Sequence, residues 1–231
     1  MNMPLKGKTV AITGSSRGIG KAAAEIIKQS GGNLVLGSRS NQEILHENVL
    51  ELDLDVTNED SVRQFYQKSV EQFGTVDVLI NSAGVGVFSN LIDSSTEDFD
   101  QMISVNLRGT YLTCKYFGEH MAKNHAGQIL NLVSIAGNTA LPGCGGYSAS
   151  KFGVMGLTKV LQAELRGRGV QVTAVIPGSV QSSFWNEINP KPDMSDMIPV
   201  ESMARHLLYL IHQPPGAFID EITIMPPLGI L

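Results

Sequence analysis

Short apolar runs alternate with amphipathic segments along most of the chain, and this alternation restricts the fold more than any other feature. The runs are rich in Val, Ile or Leu, as strands buried on both faces of a parallel sheet are. Seven of them occur, at residues 9–12, 33–36, 50–52, 76–80, 128–133, 170–175 and 218–224. We therefore predict a mostly parallel sheet of seven strands.

Helical periodicity fills the intervals between these runs. It predicts helices at about residues 18–30, 58–73, 96–122, 146–166 and 200–212. Thr57 and Ser95 are expected to be N-caps, because an aspartate follows each of them three positions later. Residues 40–49 are too few and too polar for a crossover helix, so a loop or a single turn is expected there. Strands alternating with helices build a doubly wound α/β sheet with helices on both faces.

Composition favours one globular domain over residues 1–231, since 42% of residues are hydrophobic and 17% are charged. A net charge of −5 without a Lys/Arg-rich run argues against nucleic acid as a partner. The amino terminus lacks a signal-like apolar stretch and no 18-residue apolar run occurs, which predicts a cytoplasmic protein that does not enter membranes. The two cysteines and five histidines show no metal-ligand spacing, so no metal site is predicted.

Three glycines, Gly14, Gly18 and Gly20, fall where the first predicted strand ends and the first helix begins. Backbone N–H groups at a helix start are unpaired and the helix dipole is positive there, so a pyrophosphate can bind where Cβ atoms are missing. The expected fold is therefore a Rossmann-type dinucleotide-binding domain. The spacing is Gly-x-x-x-Gly-x-Gly rather than the commoner Gly-x-Gly-x-x-Gly.

Other interpretations of this turn are weaker. A nucleoside triphosphate loop would need Gly at position 15 and Ser or Thr at position 22, where Ser15 and Ala22 stand. The residues from Gly14 to Gly18 also match the Gly-x-Ser-x-Gly elbow of serine hydrolases, with Ser16 as nucleophile and His206 or His212 following in order. In that fold, however, several strands precede the elbow, whereas one precedes it here. A glycine turn that binds no ligand is the third alternative.

The end of the second predicted strand indicates which dinucleotide is preferred. A carboxylate at this position binds the 2′-hydroxyl of NAD, whereas arginine accepts the 2′-phosphate of NADP. The strand ends in Ser38 and Arg39 without an acid, and Arg17 from the glycine turn adds a second guanidinium group. NADP(H) is therefore predicted in preference to NAD(H), unless Arg39 is simply a solvated surface residue.

Tyr147 and Lys151 lie one helical turn apart, and Ser134 lies thirteen residues upstream of the tyrosine. A phenol, an ammonium and a hydroxyl group could thus converge on one carbonyl. Tyr147 is the expected general acid, and Lys151 is expected to lower the pKa of its phenol together with the oxidised nicotinamide. Ser134 would donate to the substrate oxygen. Taken alone, the Tyr-Lys pair would more often be surface packing and Ser134 a cap.

Together, these residues resemble the short-chain dehydrogenase/reductase family, and the likeness covers the whole chain. The matching pieces occur in the family's order: residues 13–20, Asp55-Val56, residues 81–84, Asn106, Ser134, Tyr147 with Lys151, and Pro177-Gly178. The resemblance implies a single-domain enzyme that reduces ketones, sugars or 3-oxoacyl groups with NAD(P)H. It also implies a homodimer or homotetramer joined through the helices at about 96–122 and 146–166.

The resemblance further assigns roles to individual residues. It implies a catalytic set of Asn106, Ser134, Tyr147 and Lys151, in which Asn106 holds a water that connects Lys151 to solvent and Lys151 also binds the nicotinamide ribose. It implies cofactor contacts from Gly14, Ser16, Arg17, Gly18, Ile19, Gly20, Ser38, Arg39, Asp55, Val56, Asn81, Ala83, Gly84, Tyr147, Lys151, Pro177, Gly178, Val180 and Ser182. Ser182 stands where the family often has Thr.

Substrate choice is expected to depend on residues 179–198, a long connection that contains Phe184 and Trp185. These two rings either cap an apolar substrate or anchor the loop to the core. Cys144 either lines the pocket or fills space. The leading hypothesis is an NADPH-dependent oxidoreductase acting on a carbonyl or secondary alcohol, with 3-oxoacyl thioesters as one form. A regulatory protein that senses NADP(H) without turnover and a serine hydrolase using Ser16 are the alternatives.

Overall fold

The computed structural model describes residues 4–188, 192–214 and 216–230. In these ranges the strands are β1 (Thr9–Thr13), β2 (Asn33–Ser38), β3 (Ile44–His46), β4 (Val49–Asp53), β5 (Val78–Asn81), β6 (Gly127–Leu132), β7 (Val170–Pro177), β8 (Val180–Gln181), β9 (Ile198–Pro199) and β10 (Glu221–Ile224). The α-helices are α1 (Gly18–Gln29), α2 (Glu59–Phe73), α3 (Thr96–Met102), α4 (Gly109–Lys123), α5 (Gly145–Leu165) and α6 (Val200–Ile211).

The central sheet has the order β10-β7-β6-β5-β1-β2-β4-β3, and every neighbouring pair is parallel except β3 with β4. This confirms the predicted doubly wound, mostly parallel α/β fold. From β1 the chain continues to β2 on one side, whereas β5 pairs with β1 on the other side. The carboxyl ends of β1 and β5 therefore mark the switch point where doubly wound sheets bind ligands.

The predicted number of seven strands is wrong, because the described part of the central sheet has eight. The additional strand is β3, at the sheet edge, within residues 40–49 where a loop or turn was expected. A two-residue turn reverses the chain, with Glu47 in the left-handed region at φ 53°, and pairs His46 with Val49. All three residues of β3 are exposed, so the strand carries no hydrophobic alternation by which the sequence could reveal it.

Helices cover both faces of the sheet, as predicted. On one face α1 and α6 pack together over the sheet, burying side chains such as Ile27 and Leu207. On the other face α2 and α4 bury Phe65 and Phe117, whose ring centroids lie 5.9 Å apart. The sheet is thus enclosed by two apolar layers, which explains the near-continuous hydrophobic runs of its strands.

The helix starts differ from the prediction at one point. Ser95 caps α3 through the N–H of Asp98, as expected. Thr57 does not cap α2; its N–H and hydroxyl both donate to Asp55 Oδ1, and Asn58 caps the helix instead. Because the aspartate satisfies Thr57 in a local turn, the helix begins one residue later.

The helix predicted at 96–122 is interrupted. Residues Ile103–Arg108 form a π-helical segment between α3 and α4, and Asn106 lies within it, 1% exposed. Such segments widen a helix locally and are frequent at functional sites. The polar side chain of Asn106 is thereby presented to the interior of the protein.

The long connection at residues 179–198 is closed at its base by the small parallel sheet of β8 and β9. Ile198 N–H donates to the Ser179 carbonyl at 2.9 Å, and Met197 and Ile198 are buried. A short 3₁₀ helix, Ser183–Glu187, carries Phe184 and Trp185. Residues 189–191 of this connection lie outside the described residues.

The surface of α4 and α5 exposes large apolar side chains, including Tyr111, Phe152 and Val160. These are the helices through which the family resemblance predicts subunit contacts, and the homo-oligomer remains a prediction. None of the helices within residues 4–188, 192–214 and 216–230 is long and apolar enough to cross a bilayer.

Gly37→Ala tests how tightly β2 packs against α2. An added Cβ would overlap Leu54 Cδ2 and lie 2.8 Å from Phe65 Cε2, both in the buried layer beneath α2. Overpacking of this kind costs about 1–3 kcal/mol. We expect the free energy of unfolding in urea to fall by that amount.

Gly167→Ala is the matched control, because nothing lies within 4 Å of a Cβ at that position. Its free energy of unfolding should change by less than about 0.5 kcal/mol. Equal stability of the two variants would contradict the packing described for β2.

Candidate active site

The glycine turn, residues 13–20, joins β1 to α1 and presses against the segment after β5. A Cβ on Gly14 would lie 2.7 Å from Ala83 Cα and 2.8 Å from its backbone N, too close for non-bonded atoms, and the φ of Gly14 is 68°. Thr13 Oγ1 accepts hydrogen bonds of 3.2 Å from the N–H groups of Ser82 and Ala83. Only glycine fits at position 14, and the ends of β1 and β5 are fixed side by side.

The start of α1 suits an anionic group. No side chain caps this helix, whereas Asn58 caps α2 and Ser95 caps α3. The first turn of α1, which is fully described, contains no acidic residue. A Cβ on Gly20 would overlap the Gly14 carbonyl oxygen, so the turn stays compact. Unpaired N–H groups at the positive end of a helix attract phosphate oxygens, and the turn therefore fits the pyrophosphate of a dinucleotide.

The end of β2 presents polar and cationic side chains to the same cleft. Ser38 is buried and donates to Asn41 Oδ1 at 2.8 Å, so in this arrangement its oxygen is available only as an acceptor. Asn41 in turn donates to the Leu36 carbonyl. Arg39 and Arg17 are exposed and both line the cleft. Asn41, which the sequence analysis missed, therefore holds Ser38 in place, and the two arginines supply the positive charge.

The segment after β4 forms the adjoining wall. Asp55 and Val56 both line the cleft. One carboxylate oxygen of Asp55 is occupied by Thr57, and Val56 packs so closely on α4 that a Cβ on Gly109 would lie 2.8 Å from its Cγ2. The backbone after β4 is thus held rigidly from both sides.

All the predicted site residues except Gly20, Asn81 and Asn106 line one cleft of about 1630 Å³. This volume exceeds the 300–1,000 Å³ typical of small-molecule pockets, which leaves space for a dinucleotide and a second molecule.

Asn81 points into the protein instead of the cleft. Its amide donates to Asn131 Oδ1 at 2.8 Å, and its Oδ1 accepts from Thr113 Oγ1 at 2.7 Å. Asn131 continues this buried network to Thr158 on α5. Asn81 is thus a support for the turn after β5, and its side chain is not placed for the direct cofactor contact that the resemblance implies.

The phenol of Tyr147 and the hydroxyl of Ser134 meet in the cleft. Ser134 Oγ accepts from the Ala136 N–H at 3.1 Å, which is the capping role considered from the sequence, and this leaves its proton free to donate. Burial raises the pKa of Tyr147 to about 12, although hydrogen bonding with Ser134 opposes the rise. The predicted lowering of this pKa is therefore not found in the protein itself. A phenol with this pKa stays protonated at neutral pH and can act as an acid.

Lys151 lies behind this pair. Its Nζ donates to the Leu132 carbonyl at 2.8 Å and lies 5.7 Å from the centroid of the Tyr147 ring. The residue is only 6% exposed, and this burial lowers the pKa of its ammonium group to about 8. The ammonium is thus oriented by the end of β6 and remains largely charged at neutral pH.

Asn106 occupies a buried position beside the same residues. Its Oδ1 accepts from the Val85 N–H, and its Nδ2 donates to the Val85 carbonyl and to Ser150 Oγ, each at 2.9 Å. A Cβ on Gly84 would lie 3.4 Å from Asn106 Oδ1 and 3.8 Å from Lys151 Nζ. The side chain is thus satisfied within the protein, and it fixes the backbone that separates it from Lys151.

The loop after β7 closes the cleft from the opposite side. Gly178 N–H donates to the Ile224 carbonyl at 2.8 Å, and a Cβ on Gly178 would lie 2.7 Å from Pro226 Cδ. Ser182 Oγ accepts from Phe184 N–H, and Ser182 is the residue nearest to a Cβ placed on Gly18. Ser182 therefore joins this loop to the glycine turn.

Three rings form what we call the aromatic wall: Phe88, Phe184 and Trp185. Phe88 packs edge-on against Tyr147 with centroids 5.5 Å apart, and Phe184 lies 5.9 Å from Tyr147. Phe184 thus packs against Tyr147, and Trp185 packs on Phe88 and Phe184, while both rings line the cleft. Their role as a cap over an apolar substrate stays a prediction. Phe88 was missed, since a lone phenylalanine in a loop carries no pattern. Ile230, from the carboxyl-terminal segment, also lines the cleft.

Lys151→Met tests the environment of the buried ammonium. Between pH 8 and 10.5 the unfolded chain keeps the lysine proton and the folded chain has lost it, so stability should rise with pH. From pH 8 to 9.5 we expect the unfolding free energy of the wild type, minus that of Lys151→Met, to increase by about 2 kcal/mol. Denaturation in urea at a series of pH values measures this difference.

Lys28→Met, at an exposed lysine on α1, is the control. Its difference from the wild type at each pH supplies the baseline for removal of a lysine at an exposed position. If the difference in unfolding free energy between the wild type and Lys151→Met does not vary with pH, Lys151 titrates as it does in the unfolded chain.

Comparison with known proteins agrees with this site. The family model described as short chain dehydrogenase matches residues 8–193. An uncharacterized oxidoreductase of Staphylococcus saprophyticus is 32% identical over 238 residues, covering 96% of this chain and 97% of its own. The fold and a full-length relative therefore point to the same kind of protein.

Several solved structures that resemble this protein contain a nicotinamide cofactor. ElxO with NADP bound has a TM-score of 0.86 and 30% identity, covering 94% of this chain and 97% of its own. An alcohol dehydrogenase from Thermococcus sibiricus, complexed with 5-hydroxy-NADP, has a TM-score of 0.85 and 32% identity, with 94% and 95% covered. A 3-ketoacyl-(acyl-carrier-protein) reductase from Brucella melitensis, complexed with NADH, has a TM-score of 0.83 and 25% identity, with 96% and 98% covered. The chain belongs to the short-chain dehydrogenase family of oxidoreductases.

Proposed function

We propose that this protein is an NADPH-preferring oxidoreductase that interconverts a carbonyl compound and the corresponding secondary alcohol. The observation that carries the proposal is the meeting of the Tyr147 phenol and the Ser134 hydroxyl in the cleft that also contains the glycine turn. Ketones and 3-oxoacyl thioesters are both candidate substrates. We place the action in the cytoplasm, as predicted from the sequence.

The proposed cofactor contacts are the predicted residues that line the cleft, and the glycine turn is the proposed pyrophosphate site. A bound nicotinamide would supply the hydride that the carbonyl carbon receives. Gly20, Asn81 and Asn106 then act as supports for the backbone that surrounds the cofactor, since none of them lines the cleft.

In the reduction, Tyr147 donates its proton to the carbonyl oxygen as the carbon–oxygen π bond breaks. The raised pKa keeps the phenol protonated until that moment. Ser134 donates a hydrogen bond to the same oxygen and stabilises its developing negative charge, while Ala136 N–H holds the serine oxygen from behind. The products are an alcohol and the oxidised dinucleotide.

Lys151 stabilises the phenolate that remains. Its ammonium lies over the Tyr147 ring and is held by the Leu132 carbonyl, so its charge favours the deprotonated phenol. The proton that restores Tyr147 is proposed to come from solvent by way of Lys151. Asn106 acts as a positioning residue, because it holds Val85 and Ser150 on either side of that route.

Preference for NADPH is supported by the charges at the end of β2. Arg39 and Arg17 line this end of the cleft, and β2 ends in Ser38 rather than in a carboxylate. Guanidinium groups pair well with phosphate. Among the related structures described above, two contain NADP forms and one contains NADH, so the preference rests on the arginines of this chain.

The hydrolase alternative finds little support. The nucleophile of a hydrolase elbow sits on a strained turn, whereas the non-glycine residues with positive φ in the described ranges are Glu47 and His125. His212 is engaged by the carbonyls of Leu208 and Pro4. A protein that only senses NADP(H) would need the cofactor site, but it would not need the arrangement of Tyr147 and Lys151.

Tyr147→Phe separates an enzyme from a sensor. The variant loses the transferable proton but keeps the ring, so turnover should fall by roughly 10²–10⁴, the range for a general acid. NADPH affinity should change less than about threefold, since the phenol is not needed to hold the pyrophosphate. Loss of NADPH absorbance with a panel of ketones measures the first effect, and binding calorimetry measures the second.

Ser16→Ala is the companion variant. With saturating NADPH it should retain most of the reductase turnover, because Ser16 is proposed to contact the cofactor and not the reacting carbonyl. A sensor would bind NADPH and oxidise it with no ketone of the panel. A hydrolase would cleave esters without dinucleotide and lose that activity in Ser16→Ala. Either result would overturn the proposed function.

Arg39→Ala tests the cofactor preference. Loss of one charge-assisted contact to a 2′-phosphate should raise the KM for NADPH by about 10- to 100-fold. The KM for NADH, which lacks that phosphate, should change little. Arg205→Ala, at an exposed arginine on α6, is the control and should alter neither constant. Equal effects of Arg39→Ala on both cofactors would contradict the assignment.

A further inference from the structure

The aromatic wall offers hydrocarbon rather than hydrogen-bonding groups to a substrate. Phe88 stacks on Trp185 with centroids 5.8 Å apart and planes 15° from parallel. The Trp185 indole N–H already donates to the Val180 carbonyl at 2.9 Å. A flat apolar group can therefore stack against this wall without leaving a buried donor unpaired.

The wall is held in place beside the reacting group. Phe184 lies 5.3 Å from Trp185 and 5.9 Å from Tyr147, measured between ring centroids. Gly86 makes this packing possible, since a Cβ there would lie 2.5 Å from Phe184 Cζ. A substrate whose carbonyl meets Tyr147 therefore has its neighbouring group against the wall.

The described residues that line the cleft around the wall are all uncharged. They are residues 85–90, 141–144 and 183–185, Ile188, Pro192 and Ile230. Of the lining cations, Arg17 belongs to the glycine turn and Arg39 follows β2. The Lys151 ammonium lies over the Tyr147 ring and donates to the Leu132 carbonyl. Asp100 adds a negative charge to the cleft from α3. A substrate anion near the wall would lose its hydration without gaining a cationic partner from these described residues.

We propose that the substrate of the reductase is an uncharged ketone with an aryl group next to the carbonyl, an inference that rests on the proposed function. The aryl group stacks on the aromatic wall. The carbonyl carbon accepts the hydride, and the oxygen accepts the proton of Tyr147. Of the two candidate classes, thioesters on phosphorylated carriers are then disfavoured, because no cation lies among the described residues that line the cleft around the wall.

A matched set of 2-oxo compounds tests both parts of this inference. Ethyl benzoylformate and benzoylformate share the aryl ketone and differ in charge. Ethyl pyruvate and pyruvate repeat the comparison without the ring. With NADPH, we expect kcat/KM for ethyl benzoylformate to exceed that for benzoylformate by at least about 100-fold. It should exceed that for ethyl pyruvate by about 10- to 100-fold.

Substitutions near the wall test which side chains produce the preference for an aryl group and the preference for an uncharged substrate. Phe88→Leu keeps an apolar side chain but removes one ring, and should reduce the preference for the aryl ester over ethyl pyruvate by about 10-fold. Ser89→Arg introduces a cation beside the wall and should raise kcat/KM for benzoylformate by about 10-fold without a similar gain for its ester. Tyr209→Ala, at an exposed ring on α6, is the control and should change none of these ratios.

The outcomes distinguish this inference from the proposed function. If the free acids or acetoacetyl-coenzyme A are reduced as well as the aryl ester, and Tyr147→Phe abolishes that turnover, the enzyme is a reductase but the substrate class is wrong. Equal rates for the aryl and methyl esters would refute the role of the wall. If none of these carbonyl compounds is reduced, or if Tyr147→Phe retains full turnover, the proposed function itself fails.

Discussion

The rest of the site depends on the contact between the glycine turn and the backbone that follows β5. Thr13 accepts hydrogen bonds from two successive N–H groups of that backbone, which joins strand ends almost seventy residues apart in sequence. Three residues further on, Val85 is bound through both its N–H and its carbonyl by Asn106. Asn106 also donates to Ser150, which immediately precedes Lys151. Hydrogen bonds of 2.9–3.2 Å, linked through the backbone of residues 82–85, thus connect the glycine turn with α5.

Within this frame, burial decides the protonation states. The same desolvation raises the pKa of Tyr147 to about 12 and lowers that of Lys151 to about 8. Both shifts favour the neutral form of each group, so the protein alone is prepared to donate a proton rather than to remove one. Oxidation of an alcohol needs the phenolate, and the positive charges of Lys151 and of an oxidised nicotinamide would have to supply that stabilisation. The pKa of Tyr147 therefore depends on which form of the cofactor is bound.

The sequence predicted the fold because buried parallel strands have a strong local signature, and the glycine turn because its spacing restricts the backbone. It failed where the outcome depended on competition or on tertiary contacts. Thr57 donates its hydrogen bonds to Asp55, so α2 begins one residue later than predicted. The edge strand β3 is exposed and has no hydrophobic alternation that would reveal it. It located Asn81 but not the direction of its side chain, which is set by Asn131 from the next strand. The pKa of Tyr147 likewise depends on burial and on the hydrogen bond with Ser134, both of which arise only in the folded protein.

The aromatic wall connects substrate choice with proton transfer. The rings of Phe88 and Phe184 that would bind an aryl group in the proposed reaction are the ones that pack against the ring of Tyr147. Replacing them by smaller or polar residues would admit other substrates, but it would also hydrate the phenol and bring its pKa back toward the usual value for tyrosine. An aryl substrate that stacks on the wall would complete the desolvation of the acid that protonates it. In the proposed reaction, selection of an apolar substrate and retention of the proton on Tyr147 are therefore linked through the packing around Tyr147.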